Sequence, residues 1–379
     1  MASPQKKDYI DAVRGWAIAL VITSHVGVMF AELPYPIKKL TNFGVYGVQM
    51  FFLASAVTLL MSWHRRKEEG AAAVKIFFIR RFLRIAPMYY LGSILYYYIE
   101  PPETGFDAVQ MLRSFVFINV WHPEWVPTTP GWTVVPGGWS IGVEFTFYFL
   151  FPVLAAMVTT LPRAIALFFA SIVLAATANG IGAVWLSAYA PEAADRFLYF
   201  WFFNQAPVFS LGFILYFLLT RPGFQIRSTA LAYWLVASIG ATWLILAEYP
   251  SATHWFGWTT GVPTFLFATL SFMAFILLLA RGPETLFTHT YVRRLGVLSF
   301  SSYVLHFLFA RKIAVWSFGL INLQATGFAA IGNCAALWVL TMTLTVLASA
   351  VAHALIEQPA IDWAHRLTSP RRYVVAPIG

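Results

Sequence analysis

The chain has 379 residues, of which 59% are hydrophobic and 11% charged, and its mean hydropathy is +0.69. A water-soluble domain of this length cannot bury so much apolar surface, so the composition indicates an all-α protein that crosses a membrane many times. The net charge of +9 would suit nucleic acid, but the placement of the basic residues argues against that class. The single cysteine, Cys334, excludes an internal disulfide and favours a small core residue.

Ten apolar segments are long enough to cross a bilayer as helices. They are residues 9–31, 43–63, 82–99, 139–161, 164–186, 197–219, 229–249, 261–280, 295–316 and 326–355. With the N-terminus inside, eighteen of the 25 Lys and Arg residues fall on the cytoplasmic side, which satisfies the positive-inside rule. The sequence therefore predicts one integral domain over residues 1–379, in the plasma (inner) membrane, with both termini in the cytoplasm.

The first span contains two ionisable side chains that are costly in hydrocarbon, Arg14 and His25. Asp11 precedes them, and the span lacks the cleavage pattern of a secretory signal. Eleven helical residues turn about 1100°, roughly 20° beyond three turns, so Arg14 and His25 share one stripe about 16–17 Å apart. Such a pair can hold a charged ligand head and a reacting centre at once. The alternative is a snorkelling arginine and a core histidine.

A basic cluster at the start of the third span, FFIRRFLRIAPMYYL, contains Arg80, Arg81 and Arg84. Arg81 and Arg84 lie one turn apart on one helix face, and the guanidinium fork suits phosphate oxygens. The cluster indicates a site for a phosphate-bearing ligand, unless it serves only topology and contacts with anionic lipid. In the second span, the small residues of FFLASA favour close helix packing and offer Ser55 for a polar contact.

Residues 100–138 do not fit a spanning helix. A short apolar piece, SFVFINVW, is followed by a run rich in Pro, Gly and Trp, HPEWVPTTPGWTVVPGG. Irregular backbone is tolerated at membrane depth only where it lines a cavity or is buried in protein. The segment is therefore predicted to be an extracytoplasmic loop that re-enters the membrane and covers a site. The alternative is an exposed loop with aromatic anchors at the interface.

The fourth span begins GGWSIGVEF, which places Trp139, Ser140 and Glu144 near its outer end. By helical rise, Glu144 lies at a depth similar to that of His25. A carboxylate beside an imidazole stabilises the charged ring, so Glu144 is predicted to be the electrostatic partner of His25. The alternative is a structural hydrogen bond between helices.

The ninth span carries a polar face within LGVLSFSSYVLHFLF. Ser299, Ser302, Tyr303 and His306 follow a 3-1-3 spacing, which groups them on one side of the helix. Packing or hydrogen bonding is the commoner role of a second intramembrane histidine. His306 is therefore predicted to support the site rather than to carry the chemistry.

Together these motifs resemble the membrane-bound acyltransferase-3 family. The matching segments follow one another from Asp11 to about Pro359: YIDAVRGWAIALVITSH, FFLASA, FIRRFLRIAPMYY, GGWSIGVEFTFYFLFP, LSFSSYVLH and IEQP. The resemblance implies transfer of an acyl group, commonly acetyl from acyl-CoA, to hydroxyls of carbohydrates or of other extracytoplasmic or lipid-linked acceptors. Two positions depart from the family pattern, Ala56 where glycine is usual and Phe145 where a second polar residue is common.

The resemblance also implies roles for individual residues. Arg14 and His25 match the family's essential pair, and Arg81 and Arg84 match its proposed donor-binding motif. Glu144 matches its conserved acid, and His306 matches a recurrent histidine.

Histidine is the side chain whose ordinary pKa of about 6.5 suits a base at neutral pH, so His25 is predicted to be the general base. Arg14 and the basic cluster would hold the CoA phosphates. Asp11, Trp139, Ser140, Tyr303 and His306 would support the site. No permanently bound cofactor and no metal is expected. The expected partners are acyl-CoA, a carbohydrate, glycolipid or other hydroxyl acceptor, and the lipid bilayer, with no nucleic acid. The competing class is a proton-coupled transporter or exporter that uses the same ionisable residues.

Overall fold

A computed structural model describes residues 8–65, 70–103, 105–126, 134–223, 225–248, 264–317 and 319–368. Every regular element in these ranges is helical. The α-helices, numbered α1 to α15 in chain order, are Asp8–Gly27, Tyr35–Phe43, Gly47–His64, Gly70–Ile99, Ala108–Phe115, Trp139–Met157, Leu161–Trp185, Pro191–Phe200, Phe202–Thr220, Thr229–Glu248, Thr264–Arg281, Thr290–Val297, Ser299–Trp316, Gly327–Ala352 and Gln358–Thr368. Short 3₁₀ turns and one π-helical turn, His353–Glu357, connect some of them.

The predicted all-α membrane fold is confirmed, because five helical stretches in the described residues are long and apolar enough to cross a membrane. These stretches are Tyr35–His64, Trp139–Met157, Leu161–Ala188, Pro191–Thr220 and Gly327–Thr368. A sixth is added if Phe265–Arg281 and Leu286–Val297, bent by 92°, form one span.

Each of the ten predicted spans overlaps one of the α-helices, but the count of ten stays a prediction. Helices α1, α4 and α13 are not among the stretches that are long and apolar enough to cross a membrane. These three helices carry most of the predicted ionisable site residues. Residue 249, residues 261–263 and both termini, on which part of the topology prediction depends, lie outside the described residues.

Helix α1 is the centre of the fold. It packs against α3, α11, α12, α13 and α14, and its apolar residues Ala12, Ala17, Ile18 and Val21 are fully buried. A helix buried on all sides presents its remaining polar groups to the protein interior. Arg14 and other ionisable groups of α1 therefore face neighbouring helices rather than lipid.

Glycines let α12 approach α1 at backbone contact distance. A Cβ atom added to Gly296 in α12 would lie 1.7 Å from the carbonyl oxygen of Asp11, and one added to Gly15 would lie 2.1 Å from the carbonyl oxygen of Val292. Small residues are the usual means by which membrane helices come this close. The crossing sets the position of the N-terminal half of α1, which carries Arg14.

We expect Gly296→Ala to destabilise the protein by about 3 kcal/mol, because the new methyl group meets backbone that cannot move independently. The matched control is Gly332→Ala in α14, where an added Cβ meets nothing within 4 Å. Thermal unfolding of both variants in the same detergent measures the difference. Equal melting temperatures would show that α1 and α12 are not tightly apposed.

The described part of the loop between α4 and α6 packs against α6. Asp107 caps α5 by accepting hydrogen bonds from the backbone N–H groups of Val109 and Gln110, at 2.9 and 3.0 Å. The ring of Phe117 stacks on that of Phe145, with centroids 3.7 Å apart. Re-entry of this loop into the membrane stays a prediction, and residues 104 and 127–133 of the segment lie outside the described residues.

A glycine turn starts α6 at the site. Gly137 has φ +78°, a left-handed conformation that side-chain-bearing residues rarely adopt. The turn directs the chain into α6 immediately before Trp139 and Ser140. The Pro-Gly-Gly sequence therefore has a definite structural task, which is to begin the helix that carries Glu144.

Candidate active site

Three neighbouring cavities run along α1 between the surrounding helices. We call them the basic chamber, of about 440 Å³, the middle chamber, of about 80 Å³, and the histidine chamber, of about 460 Å³. The basic and middle chambers share Arg14, Arg81 and Arg84 in their walls. The middle and histidine chambers share Val48 and Tyr303. The chambers therefore follow one another from the N-terminal to the C-terminal half of α1.

The basic chamber brings together five arginines from three helices. Its wall includes Arg14 of α1, Arg65 at the end of α3, and the cluster of α4, which is Arg80, Arg81 and Arg84. The sequence predicted four of these five residues as a group. Arg65 is the fifth, and it was not predicted, because nothing in a lone arginine at a helix end indicates which neighbouring helix it faces.

Two hydrogen bonds hold arginines of this chamber in place. The Nη2 of Arg14 donates to the Thr58 hydroxyl at 3.4 Å, and the Nε of Arg80 donates to the Thr368 hydroxyl at 2.8 Å. Asp11 also lines the chamber. The wall carries five cationic side chains and one acid, so the chamber has the electrostatic character of an anion site.

The middle chamber contains Glu144 beside Arg14 and Arg81. Glu144 Oε1 accepts hydrogen bonds from the hydroxyl of Tyr148, at 2.6 Å, and from that of Ser55. The polar contact predicted for Ser55 is therefore present, and its partner is the carboxylate. The Nε of Arg81 is buried and has no hydrogen-bond partner among the described residues.

The predicted pairing of Glu144 with His25 is wrong in this structure. Similar depth in two helices does not bring side chains together, because contact also requires that the helices be rotated toward one another. Glu144 faces α3 and the middle chamber, through Ser55, whereas His25 lines the histidine chamber. The Nδ1 of His25 lies 2.9 Å from the Nε2 of His306 instead.

The histidine chamber is lined by His25 of α1, by Trp139 of α6 and by residues of α13. The Trp139 ring stacks on that of Phe200, with centroids 4.4 Å apart. Arg311 also lines this chamber and pairs with Glu100 at 2.8 Å.

A second part of the wall, from α8, was missed by sequence reasoning. Glu192, Asp195 and Arg196 of this short helix line the same cavity as His25. The amphipathic segment PEAADRFLYF was the available signal, since its charged residues recur at positions three and four apart.

Tyr303 stands between the middle and histidine chambers. Its hydroxyl donates to the carbonyl oxygen of Gly137 at 3.0 Å and accepts from the hydroxyl of Ser140 at 2.8 Å. The bridge joins α13 to the start of α6. Ser140 and Tyr303, both predicted as supporting residues, are thus brought together, at the partition between two chambers.

Comparison with known proteins assigns the chain to a family. A family model described as an acyltransferase domain matches residues 7–354. The chain belongs to the acyltransferase-3 family. It is also similar to Acyltransferase MdmB of Streptomyces mycarofaciens, with 25% identity over 395 aligned residues that cover 96% of this chain and 93% of that protein. No solved structure matches the chain.

The two departures of this acyltransferase from the family pattern have local explanations. Ala56 in α3 faces Gly212 in α9, where an added Cβ would lie 2.5 Å from that of Ala56. The alanine is therefore accommodated because the opposing helix supplies the glycine. Phe145 packs against Phe117 of the loop, so its apolar ring helps to hold the loop against α6.

We expect Glu144→Gln to leave the pH dependence of the acyltransferase rate unchanged, because Glu144 and His25 line different chambers. Its stability should fall by about 1–3 kcal/mol, since the arginines of the middle chamber lose a negative neighbour while Ser55 and Tyr148 keep a hydrogen-bond acceptor. Rates measured against pH, with thermal unfolding in parallel, test both points. A displaced pH profile would restore Glu144 as an electrostatic neighbour of His25.

Proposed function

We propose that this protein is a transmembrane O-acyltransferase that moves an acyl group, acetyl in the first instance, from cytoplasmic acyl-CoA to a hydroxyl of a carbohydrate or glycolipid acceptor. One observation carries the proposal: an arginine-lined chamber and a histidine-lined chamber lie toward opposite ends of α1, with a third chamber between them. A donor and an acceptor that meet from two sides of a membrane need this separation.

The basic chamber suits the phosphates of CoA. Arg14, Arg81 and Arg84 line both this chamber and the next one, so the anionic head would be held at the point where a flexible arm enters. The buried Nε of Arg81 has no partner among the described residues, and a phosphate oxygen would supply the missing acceptor. The eleven residues from Arg14 to His25 span about 16–17 Å, which is a suitable reach for the pantetheine arm.

His25 lines this path, and its ordinary pKa of about 6.5 suits a base at neutral pH. In the proposed step the imidazole removes the proton of the acceptor hydroxyl while the hydroxyl oxygen attacks the thioester carbonyl carbon. The carbon–sulfur bond then breaks, and the CoA thiolate takes the proton from the imidazolium. The products are an ester of the acceptor and CoA with a free thiol, so atoms and protons balance.

The histidine chamber suits a polyhydroxylated acceptor. The aromatic surfaces of Trp139 and Phe200 offer apolar contact to a sugar ring, and Glu192 and Asp195 offer hydrogen-bond acceptors for hydroxyl groups. The positive-inside pattern would put this chamber on the extracytoplasmic side of the inner membrane, with both termini in the cytoplasm. Cleavage of the C-terminal tail by protease added to intact cells would contradict that orientation.

A proton-coupled transporter is the second candidate, because chambers in series that contain ionisable groups also describe a transport path. Five arginines at one end of the path favour the acyltransferase, since a cluster of fixed positive charge repels protons and cations.

The decisive experiment is mass spectrometry of cell-envelope glycans and glycolipids from cells with the protein, without it, and with the His25→Ala variant. We expect a species heavier by one acyl group only in the cells with wild-type protein. Identical mass profiles in all three strains, together with ion-coupled uptake or export that requires the protein, would favour the transporter.

A further inference from the structure

His306 is completely buried, and its environment determines which ring nitrogen carries the proton. Its Nδ1 lies 2.8 Å from the carbonyl oxygen of Tyr303 and 3.2 Å from that of Ser302. A carbonyl oxygen only accepts hydrogen bonds, so the Nδ1 of His306 must be the donor. In the neutral ring the Nε2 of His306 is then a bare acceptor.

That acceptor faces His25. The two atoms, Nε2 of His306 and Nδ1 of His25, are 2.9 Å apart, so the Nδ1 of His25 must carry a hydrogen and donate it. The proton of a neutral His25 is thereby fixed on Nδ1. The lone pair remains on Nε2, the other ring nitrogen of the side chain that lines the histidine chamber.

If His306 were doubly protonated, its Nε2 would donate to His25 instead of accepting from it. The positively charged Arg311 nearby opposes such a charge on His306. On α13, Arg311 is the charged residue that lines the histidine chamber. Its guanidinium lies over the Phe307 ring, 5.3 Å from the ring centroid. From α1 the facing titratable group is His25, and from within α13 it is Tyr303, whose hydroxyl is bonded elsewhere. The carboxylate of Glu100 is already paired with Arg311 at 2.8 Å, so it is not the counterion of a charged His306.

The two imidazoles are also held mechanically. Phe307 contacts both rings, with centroids 4.1 Å from that of His25 and 4.3 Å from that of His306. The centroids of the His25 and His306 rings are 5.0 Å apart and their planes are inclined by 28°, so the two rings meet edge to edge through the two nitrogens. The contact between the two rings is therefore a packed and oriented one, which limits rotation of His25 about its side-chain bonds.

We infer that His306 is a positioning residue that fixes the tautomer of His25, so that Nε2 of His25 is the nitrogen that receives the proton. When His25 takes up the proton, its Nδ1–H becomes a charged donor to the same Nε2 of His306, and this bond strengthens. His306 thus occupies the position beside His25 that was predicted for Glu144. The inference rests on the proposed function for its catalytic meaning, but the tautomer itself is independent of activity.

The test uses His306→Leu and His306→Gln in the full-length protein in nanodiscs, with ¹⁵N-labelled histidine. In wild-type protein we expect the His25 signals, assigned by their loss in His25→Ala, to show a protonated Nδ1 and a bare Nε2. In His306→Leu the proton should move to Nε2, because Nδ1 has lost its acceptor. In His306→Gln the amide oxygen should restore the wild-type form.

The same variants are assayed for acetyl transfer from acetyl-CoA to the glycan fraction of cells that lack the protein. A misplaced tautomer of a catalytic histidine costs about 10²–10⁴-fold in rate, so kcat of His306→Leu should fall by about 10²-fold or more, with KM for acetyl-CoA unchanged. His306→Gln should recover most of the wild-type kcat. The control is His353→Leu, which removes a histidine that contacts Glu357 at 3.3 Å and lines none of the three chambers, and it should leave the His25 signals unchanged.

An unchanged His25 tautomer in His306→Leu would overturn the inference, whatever the rate. A shifted tautomer combined with near-normal kcat would overturn the catalytic meaning of the contact. Failure of the proposed function is recognised separately, because His25→Ala would then keep its transfer activity while the NMR comparison would still report on His306.

Discussion

Replacement of His25 by alanine should abolish acyl transfer while acyl-CoA still binds. In the proposed mechanism the imidazole acts on the transition state, whereas the donor would be held by arginines that line a different chamber. General-base catalysis contributes about 10²–10⁴-fold, so we expect kcat to fall by about 10³-fold or more with a nearly unchanged Kd for acetyl-CoA. The measurement is acetyl transfer by purified protein in nanodiscs, with CoA affinity determined by calorimetry.

The companion variant is His25→Gln. Glutamine can hydrogen-bond to His306 but cannot take up a proton, so its rate should be no better than that of the alanine variant. Near-normal turnover of His25→Ala would remove the histidine from the mechanism and assign the role of base to another group. Loss of both transfer and CoA binding would instead point to a structural role for His25.

Replacement of both Arg81 and Arg84 by alanine should weaken acyl-CoA binding by about 10²-fold. Hydrogen bonds to charged groups are worth about 1.5–3 kcal/mol each, and 1.4 kcal/mol corresponds to a tenfold change in affinity. Arg81→Lys should restore affinity only in part, because lysine lacks the two-pronged geometry that matches a phosphate. Calorimetry with CoA and with 3′-dephospho-CoA measures the effect.

The control for charge and topology is the double variant Arg163→Ala with Arg294→Ala. It removes the same number of predicted cytoplasmic charges, and neither residue lines one of the three chambers. Its CoA affinity should match that of wild-type protein. If both double variants bind CoA normally, the cluster of α4 serves topology or lipid contact rather than the donor.

Local sequence patterns were sufficient for much of the site. The helical repeat put Arg14 and His25 on one stripe, and the structure has both lining chambers that follow one another along α1. The spacing of Arg81 and Arg84 likewise placed them on one face, and both line the basic chamber. Such predictions hold because residues within one helix are related by its fixed geometry alone.

Partners on different helices could not be predicted in the same way. Glu144 was paired with His25 by depth, yet its hydroxyl partners are Ser55 on α3 and Tyr148 on its own helix. Depth along a helix follows from residue counting, whereas the direction in which a side chain points depends on how each helix is rotated and crossed by its neighbours. The glycine contacts between α1 and α12 are one such determinant.

The sequence by itself determined that this is an all-α membrane protein, and its ordered motifs indicated the acyltransferase-3 family, because apolar content and helical spacing are properties of the chain. Only the tertiary structure decided what His25 faces. Its partner, His306, is 281 residues away, and the α8 wall of the same chamber comes from a segment with no motif. These relations arise from packing, where close contact between helices selects one rotation of each and so chooses which polar groups meet.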